Sequence, residues 1–442
     1  MIIREEFSRK MPAVFIKALL ILWCFVSFPS FLFASETGEY IAIRKSGGGK
    51  IPLTLDKTFA KGNKESGWAE TFDSAVREGL DYSGLFSMIP PPINVRADGG
   101  KGGVNFSVLG SVGSEIYAGG RLTKESGSVT LDMEVYETLG GKLIMKKSYV
   151  GSEGDLRKQG NVFSADLIEL LTGKKSLFGS KIVFVSNKTG FKEIYQCDFN
   201  GQNIEQLTST KSISLTPGYS PDGRYLAFTD YTTGRPALHI RSLSDRKDTV
   251  LEKNGVSIDP GWRNGRELAT TLSYEGDQEL YLCKVDGTVS RRLTTSKGID
   301  LSPTFSPDGS RMAFVSSRNG LPQIFIMDVS SGLTRRLTYS GRYNTQPSWS
   351  PGGDKIAYST WEKSGEINIF TINADGTGLK KLTSGSRENE APSWSPDGSM
   401  IVFASNRQGN KKLFVMGSGG ENQKRLLQMD GEQMQPSWSL FR

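Results

Sequence analysis

One histidine, three cysteines and a single long apolar run are what this 442-residue chain offers of the residues that most often carry chemistry or cross a membrane. With His239 alone, no histidine-rich metal site can form, and no second histidine stands in reserve for a Ser-His-Asp triad. A Gly-x-Ser-x-Gly elbow and a Gly-x4-Gly-Lys-Ser/Thr phosphate loop are both missing. Gly99-Gly100-Lys101-Gly102-Gly103 matches the loop only in composition and reads as a flexible connection after Asp98. These absences favour a binding protein over an enzyme.

The apolar run, Ala18 to Phe33, follows Arg4, Arg9, Lys10 and Lys17 and leads to Ala34-Ser35. At roughly 16 residues, with Pro29 inside, it is short of the roughly 20 that a membrane-spanning helix needs. Residues 1–34 therefore read as a secretory signal peptide cut after Ala34, with Met1 or Met11 as its start. Trp23 stands before Cys24, where a lipoprotein signal needs a small residue, so a lipid anchor is not expected. The signal carries four of the 54 basic and two of the 47 acidic residues, so its loss lowers the net charge from +7 to +5. So mild a surplus lacks the dense basic stripe of a nucleic-acid binder.

What is abundant is a phrase. Proline, one residue, an aromatic and usually Ser-Pro-Asp-Gly begin at Pro217, Pro260, Pro303, Pro347, Pro392 and Pro436, spaced by 43 to 45 residues. Such a period marks a solenoid, a propeller or an array. In the unit from Pro303, Pro307-Asp308-Gly309 closes one short strand, Met312 to Ser316 forms a second, Gln323 to Asp328 a third and Arg335 to Thr338 a fourth. Four short antiparallel strands per unit make a propeller blade. The unit beginning at Lys181 lacks a first strand, and Pro436-Ser437-Trp438-Ser439 supplies it, which predicts a six-bladed propeller over 178–442 closed by the C-terminal strand. Cys197 and Cys283 occupy matching third strands two blades apart, beyond the roughly 4.4–6.8 Å Cα separation of a disulfide, and should be buried free thiols. Asp222, Asp308 and Asp397 serve their turns. The basic doublets Arg291-Arg292, Arg335-Arg336, Lys380-Lys381 and Lys424-Arg425 recur on the outermost strand, where charge discourages edge pairing.

Residues 35–177 have no repeat. Trp68 to Leu80 and Asp155 to Leu171 have helical apolar faces, the second ending at Gly173. Ile51 to Leu55, Val104 to Val108, Ile116 to Leu122, Val129 to Tyr136 and Leu143 to Tyr149 read as strands. Together they predict an α+β N-terminal domain on a mostly antiparallel sheet.

Phe72-Asp73-Ser74 through Ser83-Gly84-Leu85-Phe86, Leu170-Leu171-Thr172-Gly173 and the terminal Pro436-Ser437-Trp438-Ser439, together with the propeller repeat, give the chain a resemblance to the TolB family of the Tol-Pal system over essentially its whole mature length. Pro260-Gly261-Trp262-Arg263-Asn264-Gly265 and Pro351-Gly352-Gly353 depart from the repeat as degenerate turns. The resemblance implies a non-enzymatic, monomeric periplasmic protein that binds the lipoprotein Pal through the propeller and TolA through its N-terminal segment, and in some members other outer-membrane proteins. That segment, 36–47, holds Glu36 and the strand-like Tyr40-Ile41-Ala42-Ile43-Arg44 before Gly47-Gly48-Gly49. The residues that enter the six inner strands converge on one channel mouth: Leu215-Thr216, Ile258-Asp259, Leu301-Ser302, Thr345-Gln346, Glu390-Ala391 and Met434-Gln435. In the family, positions matching Val256, Asp259 and Leu301 affect Pal binding. Two other readings remain open. One is the accessory propeller of a peptidase, which would need an α/β-hydrolase domain. The other is a channel that holds a small ligand or a cation such as calcium.

Overall fold

The computed structural model describes residues 50–96, 103–125, 127–173, 176–251, 255–273 and 276–439. The expected signal at 1–34, the segment 36–47 and Gly99 to Gly102 lie outside the described residues.

The first region has strands β1 (Ile51–Leu55), β2 (Phe59–Ala60), β3 (Phe86–Ile89), β4 (Ile116–Glu125), β5 (Ser128–Glu137) and β6 (Lys142–Gly151). Its helices are α1 (Asn63–Ser83), α2 (Phe106–Ser111) and α3 (Leu156–Thr172). The sheet order is β3-β1-β4-β5-β6, with β2 added beside β4. Because α1 connects β1 to β3, those two strands run parallel, as do β1 and β4; only β4-β5-β6 is antiparallel. The sheet is thus mixed, since a strand-helix-strand crossover forces parallel neighbours. A second expectation also fails. Val104 to Val108 alternates like a strand, but the Asn105 side chain accepts the Val108 N–H and starts α2 instead. The apolar faces of α1 and α3, including Phe72, Val76, Leu80, Phe163 and Leu167, pack with Leu53, Leu131 and Met133 of the sheet in one core. Gly173, at φ 67°, ends α3 in the left-handed cap that the sequence predicts.

The second region is a ring of six four-stranded antiparallel blades. Blades II to VI follow chain order, their innermost strands being Ser214–Tyr219, Ser257–Trp262, Asp300–Phe305, Tyr343–Trp349 and Asn389–Trp394. Blade I takes its innermost strand, Gln433–Ser439, from the other end of the chain and pairs it with Lys181–Ser186. The closing strand is bound on both sides. Trp438 donates from its indole to Ser180 Oγ at 2.9 Å and from its backbone N–H to Ser393 Oγ of blade VI at 2.9 Å.

The repeated aromatics join neighbouring blades. Trp262 and Trp394 donate from their indoles to the carbonyls of Gly218 and Ser348 one blade back, at 2.8 and 3.2 Å. A side chain at Gly261 would collide with the Pro303 carbonyl, and one at Gly265, in the turn that departs from the repeat, would meet the Asp222 carboxylate. In the turns, Ser306 Oγ donates to Asp308 Oδ1 at 2.5 Å and accepts the Arg311 N–H at 2.9 Å; such bonds hold the Asp308 carboxyl at about 2. The turn aspartates are structural.

The arginine doublets do more than the sequence predicts. The first arginine of a doublet reaches forward: Arg291 donates to the Val329 carbonyl of blade IV at 2.6 Å, and Arg335 to the Ala374 carbonyl of blade V. These doublets act as inter-blade ties rather than only as edge guards. His239 stacks on Phe228 and lies 3.3 Å from the Asp248 carboxylate that also binds Arg241, a packing role on the third strand of blade II. Cys197 and Cys283 are buried and are not joined in a disulfide.

The α+β region rests on the face of the ring that carries the Ser-Pro-Asp-Gly turns. Tyr82 at the end of α1 donates to the Phe199 carbonyl at 2.8 Å, Phe178 packs edge-on against Phe199, and the Lys424 ammonium lies over the Tyr82 ring. Gly79 makes room for Phe178, since a Cβ there would lie 2.5 Å from the phenyl ring.

Trp438 is 6% exposed. Trp438→Ala should therefore cost about 3–5 kcal/mol. Deleting residues 435–442 should lower the Tm by about 10 °C or more in thermal melts; a truncated protein that melts with the full chain would contradict closure by this strand.

Candidate binding site at the channel mouth

Each innermost strand has one free edge, which faces the axis. Within it the register slips once: Leu215 pairs with Thr229 and Gly218 with Ala227, so Thr216 and Pro217 together face Phe228. The same slip recurs at Asp259-Pro260, Ser302-Pro303, Gln346-Pro347, Ala391-Pro392 and Gln435-Pro436. Two residues opposite one is a β-bulge, a place where a proline is tolerated because no ladder bond needs its missing N–H. The residue before each proline takes a left-handed conformation, with φ between 49° and 54° at all six positions. Such a φ is uncommon outside glycine and costs of order 1–3 kcal/mol per residue, so the surrounding sheet must hold it.

This geometry separates the sequence-predicted pairs. Thr216, Asp259, Ser302, Gln346, Ala391 and Gln435, the left-handed members, line a cavity of about 210 Å³ with the six prolines as its floor. The prolines also border a wider space of about 510 Å³ beneath the Ser-Pro-Asp-Gly turns. The other members, Leu215, Ile258, Leu301, Thr345, Glu390 and Met434, do not line that cavity; they are half-buried, as is Val256. Leu301 packs against the core between blades IV and V.

Several ring oxygens are already engaged. Gln435 Oε1 accepts the Thr216 N–H at 3.0 Å, Gln346 Oε1 accepts the Ala391 N–H at 2.9 Å, and the Thr216 and Thr229 hydroxyls lie 3.1 Å apart. Asp259 is the one carboxylate in the ring; it accepts from Ser302 Oγ at 2.9 Å, and burial pushes its carboxyl above the usual range. Calcium takes six to eight oxygens, commonly from several carboxylates. A ring with one carboxylate and with its amide oxygens already bonded is a poor fit for it. Among the described residues, no group of three or more His, Cys, Asp or Glu gathers as a metal site.

The mouth has an apolar rim that the sequence reading did not identify. The second strand of each blade ends beside the start of the first, so the loops between second and third strands and those that enter the next blade surround the opening. They expose Phe191 (44%), Ile213 (41%), Ile299 (45%), Leu321 (50%) and Tyr339 (75%), with Trp361 (41%) at the end of a second strand. Trp361 stacks on Tyr343 with ring centroids 5.2 Å apart, and the Arg342 guanidinium lies over both rings. Exposed aromatics with a stacked arginine are typical anchors of protein interfaces. The signal for them was a large apolar residue in a loop that no core position requires, visible only once the loops are gathered on one face. One charge cluster there is paired: Lys411 bridges Glu388 at 2.9 Å and Glu390 at 2.5 Å.

Below the rim, the starts of blades V and VI are tied to the blade before each. Asn344 donates its amide to Gln323 Oε1 at 2.7 Å, and Asn389 donates to Asn368 Oδ1 at 3.0 Å. Between blades III and IV the same two places hold acids, Glu279 and Asp300, both buried. Asp300 is bound by Arg318 at 2.9 Å; Glu279 accepts from Thr294 and lies 3.4 Å from Arg292. Burial, and then the neighbouring Asp300 charge, raise the Glu279 carboxyl above its ordinary range.

Comparison with known proteins agrees with this architecture. The family profile described as the TolB beta propeller domain matches residues 168–442. A protein named as a TolB homolog from Chlorobium luteolum is 61% identical over 425 residues, 96% of this chain and 97% of that protein. A Tol-Pal system protein TolB from Desulfosudis oleivorans is 40% identical over 291 residues, 64% of this chain and 66% of its own length. The crystal structure of TolB from Acinetobacter baumannii superimposes with a TM-score of 0.76 at 22% identity, covering 89% of this chain and 97% of that one, and shares the fold.

A raised glutamate pKa means that the charged form costs stability above that pKa, and that the cost is relieved as the pH falls through it. Glu279→Gln removes the buried charge and should melt higher than the parent at pH 7–8, the advantage fading as the pH falls through the raised pKa and gone by about pH 4. An advantage that stays constant across this range would contradict the assignment.

Proposed function

We propose, starting from the fact that this chain belongs to the TolB family, that it is the periplasmic component of a Tol-Pal system and works by binding proteins rather than by catalysis. Its channel mouth receives the lipoprotein Pal, and residues 36–47 engage TolA. The protein thereby links an inner-membrane complex to the outer membrane, in support of envelope integrity and constriction at division.

The observation that carries this reading is the mouth itself. Six strained bulges hold a concave ring, an apolar rim with an aromatic-arginine stack surrounds it, and the α+β region occupies the opposite face. Apolar anchors within a polar surround suit a protein partner. For TolA, the support is the strand-like Tyr40 to Arg44 next to three glycines, a segment able to add to a partner's sheet edge. No helix among the described residues is long and apolar enough to cross a membrane.

Leu321 and Trp361 are exposed enough to be replaced without opening the core. Leu321→Arg and Trp361→Ala should each weaken Pal binding by about tenfold or more in calorimetric titrations, with the Tm little changed. Retained affinity in both would place the Pal site elsewhere. Deleting residues 36–47 should abolish TolA binding and leave Pal binding intact or stronger; loss of both would contradict the division of roles.

A further inference from the structure

We infer that the channel mouth takes up one positively charged side chain, a lysine or an arginine, from the bound protein, and that Asp259 is the residue that selects it. The inference rests on the mouth being the partner site.

The bulge does not require an acid at this position. The other five blades place threonine, serine, glutamine, alanine and glutamine at the same φ, so the fold is built equally well without a charge. A carboxylate removed from water costs stability unless it is paired. Elsewhere on this face buried acids are either paired with a cation, as Asp300 is with Arg318 and Glu390 with Lys411, or held by several donors, as Glu193 is by the Thr208 hydroxyl and the Lys211 N–H and Asp230 by the Ser214 hydroxyl and the Thr232 N–H. Asp259 has a hydroxyl, Ser302 Oγ at 2.9 Å, and no Lys or Arg within ion-pair distance among the described residues. An acid that the architecture does not need, placed in a cavity and left without a counter-charge, is the pattern of a residue kept for binding at the expense of stability.

The cavity's chemistry says which cation. Its volume of about 210 Å³ equals roughly seven waters, far more than a bare ion needs and enough for the end of a long side chain. Gln346 and Gln435 already use their amide oxygens on backbone N–H groups, so a metal ion would find one carboxylate and few free oxygens. A single ammonium or guanidinium is satisfied by less: the Asp259 carboxylate and one or two neighbouring oxygens, desolvated together as the rim closes over them. The rim supplies apolar contact for the aliphatic stem of such a side chain.

The test uses the full mature chain and the periplasmic domain of Pal from the same organism. Asp259→Asn keeps the shape and tolerates the left-handed backbone. It should melt no lower than the parent at pH 7, yet bind Pal about tenfold or more weakly. In a scan that replaces Pal lysines and arginines by methionine, one substitution should lose its effect when combined with Asp259→Asn. If Asp259→Asn binds with full affinity while Leu321→Arg does not, the mouth is the site and the charged contact is wrong. If both bind with full affinity, the reading of the mouth fails and this inference falls with it. A calcium-dependent rise in Tm that Asp259→Asn abolishes would assign the carboxylate to a metal and overturn the proposal.

Discussion

Where the inner strand of each blade meets the axis, two residues face one across the ladder, the first left-handed and the second a proline. This bulge turns the strand, brings six prolines together as the floor of the mouth and aims the residue before each of them into the channel. It is costly at every blade, and it persists because each blade leaves its neighbour little freedom. Indoles donate one blade back, arginines of the outer doublets reach one blade forward, and asparagine side chains tie the start of blades V and VI to the blade before each. These ties run from blade to neighbouring blade, and the joint in blade I between the two ends of the chain closes them into a ring.

Closure also separates two faces. Tight Ser-Pro-Asp-Gly turns make one of them, and there the α+β region docks through Tyr82, Phe178 and Lys424. The longer loops of the opposite face are free of that contact and carry the exposed apolar residues. Variation is permitted where the bulge needs only a backbone conformation. The left-handed positions therefore differ from blade to blade, whereas the prolines do not, and a ring of repeated parts presents an unsymmetrical surface to a partner.

The period, the aromatics and the closing strand were legible in the sequence because each is a repeated side-chain requirement. The bulge was not, since Thr216, Asp259, Ser302, Gln346, Ala391 and Gln435 share no chemistry and none is the glycine or asparagine that usually signals a left-handed residue. Leu215, Ile258 and their counterparts lie where the sequence put them, at the entry to the inner strands, but they turn away from the channel, which alternation along an extended strand dictates once the bulge is located. The rim escaped notice for a different reason: Phe191, Ile299 and Leu321 lie in loops far apart in the chain and meet only on the assembled face. In the first region, Val104 to Val108 alternates like a strand while Asn105 caps a helix, and the parallel pairing of β1 depends on a crossover that no local pattern records.

On the function proposed, the loop-bearing mouth, opposite the α+β region, is the protein-binding surface. Hydrogen exchange of the full mature chain with and without saturating Pal tests it most directly. Slowed exchange confined to the mouth, at 187–193, 209–216, 255–259, 295–302, 317–322, 339–346 and 361–366, with the Ser-Pro-Asp-Gly turns unchanged, is the predicted result. Protection centred on those turns or on α1 and α3, with the mouth exchanging as before, would contradict it.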